Sequence, residues 1–349
     1  MDKHKPIALA AVQQNGEGSH GIATRITAVS ELGTMLADTA ERLFAAPEEA
    51  GAHDAGWSDA RWSAIEGSGL PLALVPEEAG GFGVPVEEAL ALIRQSGRHA
   101  LRLPLAETIV ANAALAAAGL PLADGPAALV PAGTDRVAWG RNARTFVVQR
   151  DGKLHRVTGR ATVATEGSNL ANMPRDVMTL GDGESAASNG PGLLELGGLA
   201  RALQMAGALE RVLELTVDHV STRVQFGRPL SKFQAIQQEL AKLAGEVAAA
   251  SAAADHAASA YAEGADLAFA VAVAVARTRI GEAASKANGI AHQLHGAIGF
   301  TREHALHRFT TTLWAWRDEF GTQRHWTLLL GKRALESGRD GYWPMVVAA

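Results

Sequence analysis

From Gly198 to Gly296 the chain is almost continuously patterned for helix. GLARALQMAGALERVLELTVDHVSTR carries apolar residues along one face, with Glu210, Arg211, Glu214 and Asp218 elsewhere. LSKFQAIQQELAKLAGEVAAASAAADHAASAYAEG is a second long helix, and its Ala-rich middle suits close helix–helix approach. DLAFAVAVAVARTRIGEAASKANGIAHQLHG is a third, apolar nearly all round at its start and therefore buried. Shorter helical patterns follow over 303–315 and 322–336. Long helices joined by short turns bury their faces against one another, so residues 199–349 are expected to form a four-helix bundle.

The chain before the bundle has two textures. Ile26–Ala45, a Ser-capped stretch from Ser58 to Gly67, Glu87–Ser96 and Leu105–Ala118 read as helices, which makes 23–120 an N-terminal helical lobe. From about Pro121 the pattern alternates and β-branched residues rise. RVAWG, RTFVVQR and KLHRVTGRATVAT are strand-like, with RDGK and EGSN as turns between them. Residues 121–198 are thus a small β domain. Residues 1–22 read as a flexible leader. The predicted fold class is α+β, mostly α, in the order helices, β domain, bundle.

Composition narrows the functional classes. The 349 residues are 47% hydrophobic and 20% charged, with a net charge of −5, and show no basic nucleic-acid footprint. The absence of Cys excludes disulfides, thiolate zinc sites and a Cys nucleophile. Neither the N-terminal apolar run nor the stretch 265–277 is long enough for a signal peptide or a bilayer span, so a cytoplasmic protein without a membrane span is expected.

Two stretches stand out chemically. RVQFGRPLSKFQAIQQELA, from Arg223, places an Arg and a Gly-Arg-Pro turn between two long helices. That arrangement serves either an anionic ligand at a helix start or a plain hairpin anchored by Phe226 and Phe233. HQLHGAIGFTREHALHR, from His292, contains His292/His295 and His304/His307, two i, i+3 pairs. Such pairs are common and acids nearby are few, so no metal is expected. In the C-terminal WAWRDEFGTQRHW, three of the seven Trp flank Glu319, which is either a base in an aromatic pocket or a loop acid between packed helices.

R-x-x-F-G-x-P-L-x-x-F-Q-x-x-Q followed downstream by Q-x-H-G-x-x-G-F-T-x-E resembles the acyl-CoA dehydrogenase family. VPEEAGGFG at Val75–Gly83 and the SGR at Ser96–Arg98 match its N-terminal helical domain. The resemblance runs in order along most of the chain and is weak over 121–198. It implies FAD-dependent α,β-dehydrogenation of an acyl-CoA: a carboxylate removes the α proton while the β hydrogen leaves as hydride. It implies that Arg223 meets the flavin pyrophosphate and that Gln225, Phe226, Phe233 and Gln234 line the adenosine side. Gln293, Leu294, His295, Gly296 and Ala297 approach the pyrophosphate of a neighbouring subunit's flavin, and Thr322 and Gln323 touch the cofactor near the reacting centre. An acyl-CoA substrate, an electron-transfer flavoprotein-like acceptor, and a homo-oligomer or a heteromer with a homologous subunit follow as partners.

The departures from the family are specific. The T-E-P-x-x-G-S-D-like flavin cradle is absent from the β segment. Of the two base positions known in the family, one falls on Phe320, a residue after Glu319, and the other near Gly197, with Glu195 the nearest acid. Glu319 is the candidate base, and Glu195 the alternative. Two further readings stay open: a non-catalytic partner subunit that completes another chain's flavin site, and a flavin monooxygenase on the same fold.

Overall fold

The structure is a computed structural model that describes residues 30–45, 57–159, 161–264 and 266–348. The leader expected over 1–22 lies outside the described residues. The first lobe is helical: α1 (Glu31–Phe44), α2 (Asp59–Gly67), α3 (Val86–Arg98) and α4 (Leu105–Ala117). Ser30 caps α1, its hydroxyl oxygen accepting from the Gly33 N–H at 2.9 Å. Ser58 does the same for α2 from Arg61 at 3.3 Å.

Seven strands follow: β1 (Ala127–Val130), β2 (Arg136–Ala138), β3 (Thr145–Arg150), β4 (Lys153–Thr158), β5 (Ala161–Thr165), β6 (Arg175–Leu180) and β7 (Glu184–Ala187). They form two small sheets, ordered β1-β3-β4-β7 and β2-β6-β5. Asp151 and Gly152 both have positive φ, 51° and 71°, and close the β3–β4 hairpin with the backbone twist that two-residue turns favour.

The bundle consists of α5 (Leu193–Thr222), α6 (Gln234–Ala262), α7 (Asp266–His295), α8 (Leu306–Arg317) and α9 (Gln323–Ala348), the last broken at Gly338. A two-stranded turn, β8 (Val224–Gln225) with β9 (Arg228–Pro229), joins α5 to α6. Alanines carry much of the helix–helix seam: Ala250, Ala254 and Ala257 of α6 and Ala272, Ala276, Ala283 and Ala287 of α7 are wholly buried. The overall α+β architecture therefore agrees with the sequence reading. Among the described residues no helix is long and apolar enough to cross a membrane.

The first lobe is docked on the bundle through the Ser96-Gly97-Arg98 stretch, and each of its residues has a separate reason to be there. A Cβ on Gly97 would lie 1.9 Å from the Gln204 carbonyl oxygen, so only glycine lets α3 and α5 approach this closely. The Ser96 hydroxyl accepts from the Gln204 amide at 3.1 Å. Arg98 ion-pairs with Glu210 at 3.2 Å and with Glu214 at 2.7 Å, both on α5. Replacing Gly97 with Ala should push the two helices apart. We expect a loss of about 1–3 kcal/mol, read as a lower denaturant midpoint at unchanged slope.

Candidate functional site

Where the β domain meets the bundle, a solvent-open cleft of about 410 Å³ is lined by Thr134, Arg136 and Arg175 on one side and by Glu319, Phe320 and Gly321 on the other. The segment Asp318–Thr322 that forms its bundle wall is held from beneath by Arg277 of α7. The Arg277 guanidinium donates to four carbonyls, those of Trp316, Arg317, Glu319 and Gly321, at 2.7–3.2 Å. They lie at the end of α8 and beyond it, where carbonyls lack a full set of helical partners; those of Trp316 and Gly321 also accept from the Glu319 N–H and the Trp326 indole, both at 3.2 Å. Burial, with the neighbouring Arg201 cation adding to it, pushes Arg277 down to about 9, against the opposing pull of Glu319 and Asp318. Trp316 and Trp326 flank the segment and are buried to 2% and 0% exposure, so they are core anchors.

Glu319 is buried and fully engaged. One carboxylate oxygen accepts from Arg201 Nε at 2.8 Å and lies 2.7 Å from its Nη2. The other accepts from the Asn169 amide at 2.8 Å. Arg201, on α5, also binds Glu107 of α4 and the Gln204 side chain. Burial opposes the charge on Arg201, yet Glu107 and Glu319 together hold its pKa above the usual guanidinium value. Asn169 is itself fixed, because its carbonyl oxygen accepts the N–H groups of Ala171 and Met173, both at 3.0 Å. The result is a buried cluster with two cations, Arg201 and Arg277, and two carboxylates, Glu107 and Glu319.

Phe320, on which one expected base position falls, is in contact with Gly197, near which the other falls. A Cβ on Gly197 would lie 2.3 Å from the Phe320 ring, so the absence of a side chain at 197 makes room for that ring. Phe320 enters this space with φ of 50°, an uncommon backbone for a bulky residue, and its ring lies 5.3 Å from the Arg201 guanidinium carbon. Glu195, the alternative acid, lies in the first turn of α5 and faces Gly192.

The other predicted residues sit around the far end of the bundle or near the cleft. Arg223 follows α5 and is exposed; its backbone bonds His219 and Leu230, both at 2.9 Å, and its side chain makes no hydrogen bond or ion pair among the described residues. Gln225 and Phe226 occupy the β8–β9 tip, Phe226 being 91% exposed with φ of 51°. Phe233 packs edge-on to Phe226 at 6.2 Å under the Arg228 guanidinium, and Gln234 opens α6. Gln293, Gly296 and Ala297 are exposed, whereas Leu294 and His295 turn their side chains inward. Thr322 is exposed beside the cleft, and Gln323 is half-buried against Gly281 of α7. The stacked rings of His219 and His295, 4.4 Å apart, bring the Arg223 arm and the Gln293–Ala297 stretch to one end of the molecule.

Residues 192–334 match the family described as acyl-CoA dehydrogenase, C-terminal domain. The chain is 34% identical over 253 residues to acyl-CoA dehydrogenase IpdE2 of Mycobacterium tuberculosis, an alignment covering 69% of this chain and 76% of that protein. The chain belongs to the acyl-CoA dehydrogenase family. That makes it an acyl-CoA dehydrogenase-like oxidoreductase of an FAD-using family. Among solved structures, the ChsE4-ChsE5 complex from Mycobacterium tuberculosis shares the fold at a TM-score of 0.73 and 22% identity, covering 89% of this chain and 99% of that one. PigA with FAD and proline shares it at a TM-score of 0.73 and 14% identity, over 89% of this chain and 99% of that one.

Arg201, Glu107, Asn169 and His219 were not singled out from the sequence. Glu107 and Arg201 each stand inside an otherwise apolar helical run, and a charge in such a run needs a buried partner. Nothing in the sequence says which. Removing one partner leaves the other charge buried and unmatched. Arg201→Ala should therefore cost about 3–5 kcal/mol of stability, measurable by equilibrium denaturation.

Proposed function

We propose that the chain is one subunit of an enzyme that dehydrogenates an acyl-CoA thioester between its α and β carbons, with the proton-abstracting carboxylate supplied by a second, homologous subunit. The contact between Gly197 and Phe320 supports this reading: the resemblance puts one base position on Phe320 and the other near Gly197, and neither residue is an acid. Glu319, the nearest acid, has both oxygens committed to Arg201 and Asn169. To act as a base it has to give up bonds that hold three parts of the chain together. The similarity to a two-component assembly, the ChsE4-ChsE5 complex, supports the same reading.

The residues present fit the adenosine and pyrophosphate half of FAD. A free Arg223 cation, the Gln225 amide and the exposed Phe226 ring lie within one short turn, a combination suited to charge-assisted phosphate contact and base stacking. The exposed backbone at Gly296 and Ala297 suits close approach by the diphosphate of a neighbouring subunit's FAD. Thr134, Arg136 and the Gly321 backbone supply polar groups where the cleft opens, with Thr322 beside it. FAD, when bound, supplies the hydride acceptor. In the balanced reaction the α proton goes to the carboxylate and the β hydride leaves as the carbon–carbon double bond forms. Electrons then pass to an electron-transfer flavoprotein-like acceptor.

A second reading keeps Glu319 as the base, because its carboxylate lines the cleft. One experiment separates the two. The chain is purified alone and with a co-expressed homologous subunit, and flavin bleaching by acyl-CoA is followed. We expect reduction only by the pair, and a fall of roughly a hundredfold or more when the partner's acid is changed to its amide. Glu319→Gln in this chain should leave the rate per bound flavin nearly unchanged. Bleaching by this chain alone, slowed a hundredfold by Glu319→Gln, would overturn the proposal. Arg223→Ala should lower FAD affinity by about tenfold or more with folded yield retained.

A further inference from the structure

His219 lies in the last turn of α5, His295 ends α7, and His304 sits in the short segment that leads into α8. One ligand-capable nitrogen from each lies within 4.8 Å of the other two. The His304 ring stands 4.6 Å from that of His295 and 6.0 Å from that of His219. The i, i+3 pairs visible in the sequence do not form the cluster. His292 stacks on Phe300 and bonds Thr310, and His307 bonds the His304 carbonyl. One member of each pair joins instead with His219.

His295 decides what the cluster can hold. Its ring is 5% exposed. Its Nδ1 lies 2.7 Å from the Ala291 carbonyl, an acceptor, so Nδ1 carries the proton. Nε2 is then a bare lone pair, buried and without a partner. A backbone carbonyl that fixes the tautomer and leaves Nε2 free is the arrangement found behind metal-bound histidines. The geometry points to a site for a divalent cation of the zinc class, bound by His219, His295 and His304 at the junction of α5, α7 and α8.

The C-terminal ends of α5 and α7 both meet here, and their dipoles favour positive charge. Two factors oppose binding. Arg223 adds a cation close to His219, although it is exposed and so screened. The 3.1 Å bond from the Leu306 N–H to His304 Nδ1 is lost whichever His304 nitrogen takes the metal. An all-imidazole donor set selects zinc, copper or nickel over magnesium and calcium, which take oxygen ligands. His219 and His304 are only half-buried, which leaves a fourth position open to water.

The test uses the full chain, purified without a polyhistidine tag and stripped with a chelator. It is titrated with Zn²⁺ and, in parallel, with Co²⁺, whose visible absorption reports nitrogen coordination. We expect one ion per chain, a raised Tm, and X-ray absorption of the zinc-loaded wild type showing three imidazole nitrogens. His304→Ala and His219→Ala/His304→Ala should each weaken binding by about tenfold or more, with the metal-free circular dichroism unchanged. His256→Ala, at an exposed position on α6, should bind as the wild type does. Failure of the wild type to take up stoichiometric metal, a scattering pattern without three imidazoles, or equal uptake by the double variant would overturn the site and leave uptake by scattered surface histidines.

Discussion

Arg201 is the constraint on which the arrangement of the three parts of the chain depends. Its guanidinium is buried to 1% exposure and reaches Glu107 of the first lobe and Glu319 of the C-terminal segment from its own helix in the bundle. Glu319 then extends the link to Asn169 of the β domain. Desolvating these charges is expensive, and the cluster persists because each charge has an opposite neighbour and most polar atoms have partners. One Glu107 oxygen and the Arg277 Nε are exceptions, buried and unbonded. A network with so little slack specifies geometry more than it adds stability, and the geometry it specifies is that of the cleft wall.

The same network explains why a carboxylate one residue from a family base position need not act as one. Sequence spacing puts Glu319 next to the reacting centre. The positive φ of Phe320 and Gly321, 50° and 88°, turns the Phe320 ring onto Gly197, while the Glu319 carboxylate meets Arg201. The loop that lines the cleft is at the same time part of the joint between domains.

The sequence made the helices legible because their apolar period is local. Ser58 and the Asp151-Gly152 turn also behave as their local chemistry dictates. The arm of Arg223, Gln225, Phe226 and Phe233 was legible as a turn, and its proposed cofactor role came only from the resemblance to the family. The cluster at the cleft was not legible. Asn169 and Glu319 are separated by 150 positions, and Arg201 and Glu107 by 94. No periodicity within one helix reports such a pairing. His219 was missed for the same reason: it is an unremarkable last-turn residue until α7 lays His295 over it at 4.4 Å.

The tight seating of α3 on α5 also limits how the molecule can breathe. With Gly97 against the Gln204 backbone, a Cβ on Gly207 only 2.1 Å from the Arg94 carbonyl, and Arg94 and Arg98 clamped to Glu210, the first lobe and the bundle move as one body. Widening the cleft is then a displacement of the β domain alone. It breaks the bonds from the Asn169 amide to Glu319 and from Arg175 to the Asp318 carbonyl at 3.3 Å, and strains others that tie the β domain to α4, α5 and the α3–α4 turn, such as Arg102 to the Ala171 carbonyl at 2.6 Å. The bonds from Asn169 and Arg175 end on the same short segment, so any displacement of the β domain from the bundle also releases the second Glu319 oxygen.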